Sequence, residues 1–187
     1  LGVLILSNIL ASKSNRRKKI LKKIDFNFTV IPSNIREDMQ IGLIPEALAE
    51  HWAREKAKVI SLSNPTDLII GADTIVLINS KVVGKPKSKA KSFEILKSLS
   101  GKMHSVITGV SLIHLDLNLD ITFNAITNVY VRDLNDDDIN NYIDNYKPLD
   151  KAGSYGIQDK FCAYISGIDG CYYNVMGFPV SLFHSRY

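Results

Sequence analysis

Leu68-Ile69-Ile70-Gly71-Ala72-Asp73-Thr74 is the stretch on which the fold turns. Three consecutive apolar residues, two of them β-branched, read as a short strand buried on both faces. The run ends at Gly-Ala-Asp-Thr, which places Asp73 at the strand's carboxyl end, where open α/β sheets bind their ligands. Residues 75–78 continue in extended form, Asn79-Ser80 suits a turn, and Lys81-Val82-Val83 returns as the second arm of a hairpin.

Outward from this strand, helix and strand signals alternate, which predicts an α/β domain. Towards the N-terminus an apolar run ends at Leu10-Ala11, and Ser12-Lys13-Ser14 leads into a basic helix over residues 15–24. Ser14 is its expected N-cap, and Ile20, Leu21 and Ile24 its expected buried face. Residues 28–32 read as a second strand and 33–43 as a polar loop. Pro45 then opens a helix that runs through Trp52 and Lys56 to about Ile60. Towards the C-terminus a helix is expected over 90–99, with Gly101 near its end. Residues 106–114 and 120–131 form two β-rich runs expected to pair antiparallel. Residues 135–146 form a helix whose acidic first turn complements the helix dipole. A glycine-rich aromatic stretch, 153–177, precedes a short terminal helix over 179–184.

The chain has 187 residues, of which 45% are hydrophobic and 22% charged, so disorder is excluded as its main state. No apolar run approaches the roughly 20 residues that span a bilayer, so no membrane partner is expected. Residues 3–6 have no basic residue before them and are too short for a signal peptide. With Leu1 in first place, trimming of an initiator methionine is expected. Lys and Arg number 23 against 19 Asp and Glu, a net charge of +4. The bases gather in residues 13–23 and 81–102 and the acids in 133–138, which suits a phosphate site better than a uniformly basic coat. Cys162 and Cys171 lack C-x-x-C or zinc spacing and are expected to be reduced, as in a cytoplasmic protein. The four histidines, at 51, 104, 114 and 184, show no metal-ligand spacing.

Four segments and two further residues can carry chemistry. Ser12, Ser14, Arg16 and Arg17 surround a strand-to-helix junction whose free N–H groups and guanidinium forks suit phosphate oxygens. The same residues also suit an ordinary cap followed by a solvated basic face. Asp73 could ligate Mg²⁺, act as a general base, or cap local backbone. Lys85, in Gly84-Lys85-Pro86, could reach a phosphate or stand in solvent. Gln158 carries both a donor and an acceptor, as base recognition requires, on a segment that also reads as a plain glycine-rich turn. Glu37 could be a second metal carboxylate or a solvated loop acid. Lys56, four residues after Trp52, could serve a site or snorkel to the surface.

In order along the chain, these segments resemble the Maf family of nucleoside triphosphate pyrophosphatases, from about Ile9 to Phe183. Leu10-Ala11-Ser12-Lys13-Ser14-Asn15-Arg16-Arg17 resembles the family's L-A-S-x-S-P-R-R, with Asn15 in place of proline. Ile35-Arg36-Glu37 resembles I-D-E, with Arg36 in place of an acid. Ala53-Arg54-Glu55-Lys56-Ala57, Gly71-Ala72-Asp73-Thr74 and Gly84-Lys85-Pro86 match A-x-x-K-A, G-A-D-T and G-K-P. Leu99-Ser100-Gly101 with His104, and Thr108-Gly109-Val110, match L-S-G-x-x-H and T-G-V. Asp150-Lys151-Ala152-Gly153-Ser154-Tyr155-Gly156-Ile157-Gln158 matches D-K-A-G-x-Y-G-I-Q, flanked by Lys147 and Asp159 where the family usually has Glu and Gly. Asn174-Val175-Met176-Gly177-Phe178-Pro179 closes the series.

The resemblance implies one domain over residues 1–187: a mixed, twisted β-sheet with flanking helices, in two lobes around a deep cleft. It implies hydrolysis between the α- and β-phosphates of a nucleoside triphosphate, giving monophosphate and pyrophosphate, with dTTP and UTP favoured. It assigns Asp73 as proton acceptor, and Arg16, Thr74 and Gln158 to substrate choice. It requires a divalent cation, Mg²⁺ or Mn²⁺, which Asp73 and Glu37 are expected to hold. Ser12, Ser14, Arg17, Lys56 and Lys85 are then expected to bind the phosphates. A homodimer, a cytoplasmic location, a house-cleaning role on the nucleotide pool and a link to cell-division arrest are further implications. The rival classes are a nucleic-acid-binding or septum regulator without catalysis, and a pyrophosphatase of non-standard purine triphosphates. Nucleic acid is disfavoured as a partner because no aromatics interleave the basic runs.

Overall fold

The computed structural model describes residues 7–187; residues 3–6, read above as too short for a signal peptide, lie outside the described residues. In chain order the regular elements are β1 (Asn8–Leu10), α1 (Asn15–Lys23), β2 (Thr29–Val30), α2 (Pro45–Ser61), β3 (Leu68–Ile78) and β4 (Lys81–Val83). They continue with α3 (Lys89–Leu99), β5 (Met103–His114), β6 (Leu119–Val131), α4 (Asp136–Tyr146), β7 (Ile165–Asp169), α5 (Tyr172–Val175) and α6 (Val180–Arg186). Short 3-10 turns lie at Pro148–Asp150, Ala152–Ser154 and Lys160–Tyr164. The strands form one seven-stranded sheet in the order β2-β1-β3-β5-β6-β7, with β4 paired to β3. β1 pairs in parallel with both β2 and β3, whereas β3 with β4 and β6 with β7 are antiparallel. The mixed α/β architecture expected from the sequence is therefore the one observed.

The chain divides into two compact units. The first comprises Leu1–Asp73, Thr108–Ala125 and Gly177–Tyr187, and the second Thr74–Ile107 and Ile126–Met176. In the first unit, Ile9 and Ala11 of the β1 segment, Ile69 of β3, Ile113 of β5 and Ala57 of α2 form a small aliphatic core. Ile9 faces Ile69 across the parallel ladder, which fixes the register of β1 on β3. The second unit packs a larger and more aromatic core, in which Tyr142, Tyr155 and Phe161 join Leu96, Leu99 and Val129.

Local signals explain most element ends. Ser14 caps α1 through its Oγ, and Ser88 caps α3 in the same way. Asn135 and Asp138 form a reciprocal capping box at the start of α4. Two expectations change. β3 does not stop at Gly71 but runs unbroken to Ile78, because Gly71, Ala72 and Asp73 are buried strand residues rather than turn residues. Ile24 is partly exposed rather than on the buried face of α1. It is the C-cap, and the chain leaves the helix there, with Phe26 N–H bonding back to Leu21 O.

Candidate active site

The first unit gathers a charged cluster around Lys56. Its placement begins with glycine. A Cβ on Gly71 would run into the carbonyl oxygen of Ala53, and one on Gly109 into that of Ala49. The two glycines therefore let α2 settle directly on β3 and β5. Gly71 and Asp73 share one face of β3, by the two-residue period of a strand. Lys56 lies between Ala53 and Ala57 on the facing helix, so its side chain is delivered to Asp73. Trp52, one turn earlier, donates its indole N–H to the carbonyl of Asp38 at 3.0 Å, which pins the loop that carries Glu37 beside the same helix face.

Lys56 Nζ lies 2.6 Å from Asp73 Oδ1 and 2.6 Å from Glu37 Oε1, with the carbonyl of Ala72 at 3.4 Å. Lys56 and Asp73 are buried, and Glu37 is partly exposed. An ammonium has three donors, and three oxygens of the protein lie around this one. Lys56, expected to bind substrate phosphates, is here paired with two carboxylates. The second oxygen of Asp73, Oδ2, is buried without a hydrogen-bond partner. Such an orphan is costly in a native protein and points to a ligand, a water or a reacting proton.

Arg17 stands next to this cluster. Its Nε–H donates to Gly177 O at 2.8 Å, and an Nη1–H donates to Ser12 Oγ at 3.1 Å. Ser12 Oγ also accepts the N–H of Ser14 at 3.2 Å, and Ser14 Oγ accepts that of Arg17 at 3.4 Å. Burial lowers the pKa of Arg17 while the charges of Asp73 and Glu37 raise it and that of Arg16 lowers it, so the guanidinium senses both carboxylates. Ser12, Ser14, Arg17, Glu37, Lys56 and Asp73 thus come together in the first unit, with Arg16 half-buried on the same helix turn. The carbonyl of Gly177 and the indole of Trp52, which orient Arg17 and the Glu37 loop, were missed as site residues. Their only signal was the spacing of Trp52 to Lys56 and the glycine inside Asn174–Pro179.

The other expected residues lie in the second unit. Thr74 is half-buried on β3, Lys85 is exposed just after β4, and Gln158 is exposed on the segment between two 3-10 turns. Cys162 and Cys171 are free thiols, as expected.

Among the described residues, no three His, Cys, Asp or Glu side chains gather at metal-binding range. The donor set nevertheless fits a hard divalent ion of the Mg²⁺ type. Such an ion takes one or two carboxylates and fills its other positions with phosphate oxygens and water. Asp73 and Glu37 supply two carboxylates, and Asp73 Oδ2 is the unpartnered oxygen.

Fold and cluster define the class: a mixed α/β protein with a buried lysine–dicarboxylate site beside a buried arginine. The chain belongs to the Maf family, whose description as Maf-like protein matches residues 7–186. It is 42% identical over 172 residues to the dTTP/UTP pyrophosphatase of Carboxydothermus hydrogenoformans, covering 92% of each chain. It is 43% identical over 175 residues to the dTTP/UTP pyrophosphatase of Fusobacterium nucleatum, covering 94% of this chain and 91% of that one. The corresponding protein of Bacillus pumilus is 42% identical over 173 residues, 92% of this chain and 90% of that one. Among solved structures, the Staphylococcus aureus Ham1 protein aligns with a TM-score of 0.47 and 14% identity, covering 67% of this chain and 71% of that one. That likeness is too distant to inform the site. No helix of the described residues is long and apolar enough to cross a membrane.

Proposed function

We propose that this chain hydrolyses nucleoside triphosphates to the monophosphate and pyrophosphate, with dTTP and UTP preferred. The observation that carries the reading is Asp73: one oxygen is held by Lys56, and the other is buried and unpartnered. Nearly full-length identity above 40% to proteins named dTTP/UTP pyrophosphatases supports the reaction and the substrates.

In this reading Asp73 Oδ2 accepts the proton of a water that attacks the α-phosphorus. A bond forms from the water oxygen to that phosphorus, the bond to the bridging oxygen breaks, and pyrophosphate leaves with the electron pair. Lys56 fixes the rotamer of Asp73, so that the accepting oxygen is oriented before substrate arrives. Arg16, Arg17 and Lys85, with the hydroxyls of Ser12 and Ser14, neutralise and bind the triphosphate, and Thr74 and Gln158 select the base. Asp73 and Glu37 would hold a divalent cation, whose chemistry is to neutralise phosphate charge and acidify bound water. A cytoplasmic homodimer with a house-cleaning role and a link to division arrest belongs to the same reading.

The test is pyrophosphate release over all common NTPs and dNTPs, with and without Mg²⁺ or Mn²⁺. Metal-dependent release led by dTTP and UTP is expected, and no release from any nucleotide would overturn the reading. Asp73→Asn should fold and lose about 10²–10⁴-fold in kcat, the usual contribution of a general base. Retention of more than a tenth of the activity would remove Asp73 from that role.

A further inference from the structure

Gln158 sits on a β-turn whose other members are locked. Asp159 N–H donates to Gly156 O at 3.2 Å and closes the turn over Ile157 and Gln158. Ile157 is buried in the core of the second unit, whereas Gln158 is exposed. Tyr142, reaching from α4, spans the turn with one hydroxyl. It accepts the N–H of Gly156 at 3.0 Å and donates to Asp159 Oδ1 at 2.9 Å. Asp159 Oδ1 accepts the N–H of Phe161 as well, at 3.1 Å, and so caps the following 3-10 turn. Burial raises the pKa of the Tyr142 phenol, which keeps it a donor across the working pH range. A Cβ on Gly156 would lie 2.5 Å from Asp159 Oδ2, so with the Asp159 carboxylate seated here a larger residue at 156 would have to displace it.

We infer that Tyr142 and Asp159 are positioning residues for base selection. Together they tie both ends of the Gly156–Asp159 turn to α4 and the second core, leaving the Gln158 side chain as the turn's presented group. The inference rests on the assignment of Gln158 to the base. A turn held in one geometry presents the Gln158 amide without the entropy cost of ordering it on binding. A site built to pair a base edge rejects the wrong base most strongly when its donors cannot relax.

The experiment measures kcat and KM for dTTP and GTP in Tyr142→Phe, Asp159→Ala, Asp159→Asn, Gln158→Ala and the Tyr142→Phe/Gln158→Ala double variant, with melting curves confirming that each is folded. Tyr142→Phe keeps the ring in the core and removes only the hydroxyl. It should lower the dTTP-to-GTP ratio of kcat/KM about tenfold, chiefly through the KM for dTTP. Asp159→Ala should do the same. Asp159→Asn, which keeps an accepting oxygen, should stay within about threefold of the parent. The double variant should fall no further than Gln158→Ala alone, because both changes remove one unit of recognition. Equal losses for both nucleotides in Tyr142→Phe, or additive losses in the double variant, would mean a structural role only and overturn the inference. Asp159→Asn failing as badly as Asp159→Ala would also overturn it. An unchanged ratio in Gln158→Ala itself would instead bring down the base assignment, and with it any need for a positioned turn.

Discussion

Among the described residues, the buried charged side chains, Arg17, Lys56 and Asp73, all lie in the first unit. In the first, a lysine is shared between two carboxylates and one carboxylate oxygen is left without a partner. In the second, the fully buried polar side chains among the described residues are Ser92, His104, Thr127, Ser154 and Asn174, none of them an Asp, Glu, Lys or Arg. His104 Nε2 pairs with the Tyr155 hydroxyl at 2.7 Å, the Tyr142 hydroxyl bridges the Gly156–Asp159 turn, and Ser92 and Ser154 pair with each other. The difference fits the roles proposed for Asp73 in the first unit and Gln158 in the second. A site that receives a proton and neutralises a polyphosphate needs charges kept out of water, where they act strongly. A site that tells one base from another needs donors and acceptors in fixed places.

The largest effect expected from breaking this contrast is in the charged cluster. Lys56→Met removes the cation from two carboxylates and should cost about 3–5 kcal/mol, the usual penalty for leaving a buried charge uncompensated. Urea unfolding of Lys56→Met beside Lys56→Met/Asp73→Asn measures it, and the second change should restore part of the loss. A loss below about 1 kcal/mol, in the range of exposed pairs, would show that the cluster is solvated and not a buried ion pair.

The neutral region is sharpened by pH. Burial lowers the pKa of His104 from 6.5 to about 4, so the folded protein binds fewer protons than the unfolded chain between those values. The stabilisation is complete above pH 6.5 and is lost as the pH falls towards 4, in total on the order of 3 kcal/mol. Urea midpoints at pH 7 and pH 4.5 should fall further for the parent than for His104→Gln. Equal falls would locate the acid sensitivity elsewhere.

The smallest effect belongs to an ion pair that shares the first unit with the cluster but not its burial. Arg54 grips Asp120 through two nitrogens, and side-chain exposures of 45% and 41% leave the pair in solvent. Arg54→Ala should therefore cost less than about 1 kcal/mol by the same unfolding measurement. A cost as large as that of Lys56→Met would erase the distinction between buried and exposed pairs in this unit.

Much of this was legible along the chain. Ser14 before a helix with apolar spacing, Pro45 at the first turn of the next, and the acidic first turn of the helix near residue 136 are local signals, because caps and first turns involve neighbours. Gly71-Ala72-Asp73-Thr74 was harder. Its residues carry turn chemistry, and only strands on both sides with a helix lying close over Gly71 make them the middle of an eleven-residue strand. The roles of Tyr142 and Asp159 had no local signal at all, since a tyrosine inside an amphipathic helix looks the same whether its hydroxyl meets solvent or a distant turn.

The sequence by itself determined the alternation of helix and strand, the Ser14 cap, the absence of a disulfide framework and the Maf motifs, because each is written in residues close together along the chain. Only the tertiary structure decided the charge pairing. A lysine four residues after a tryptophan has one local signature whether it holds a phosphate or two carboxylates. The pairing comes from Glu37 and Asp73, far apart in the chain, converging on one buried ammonium that must be compensated where it lies.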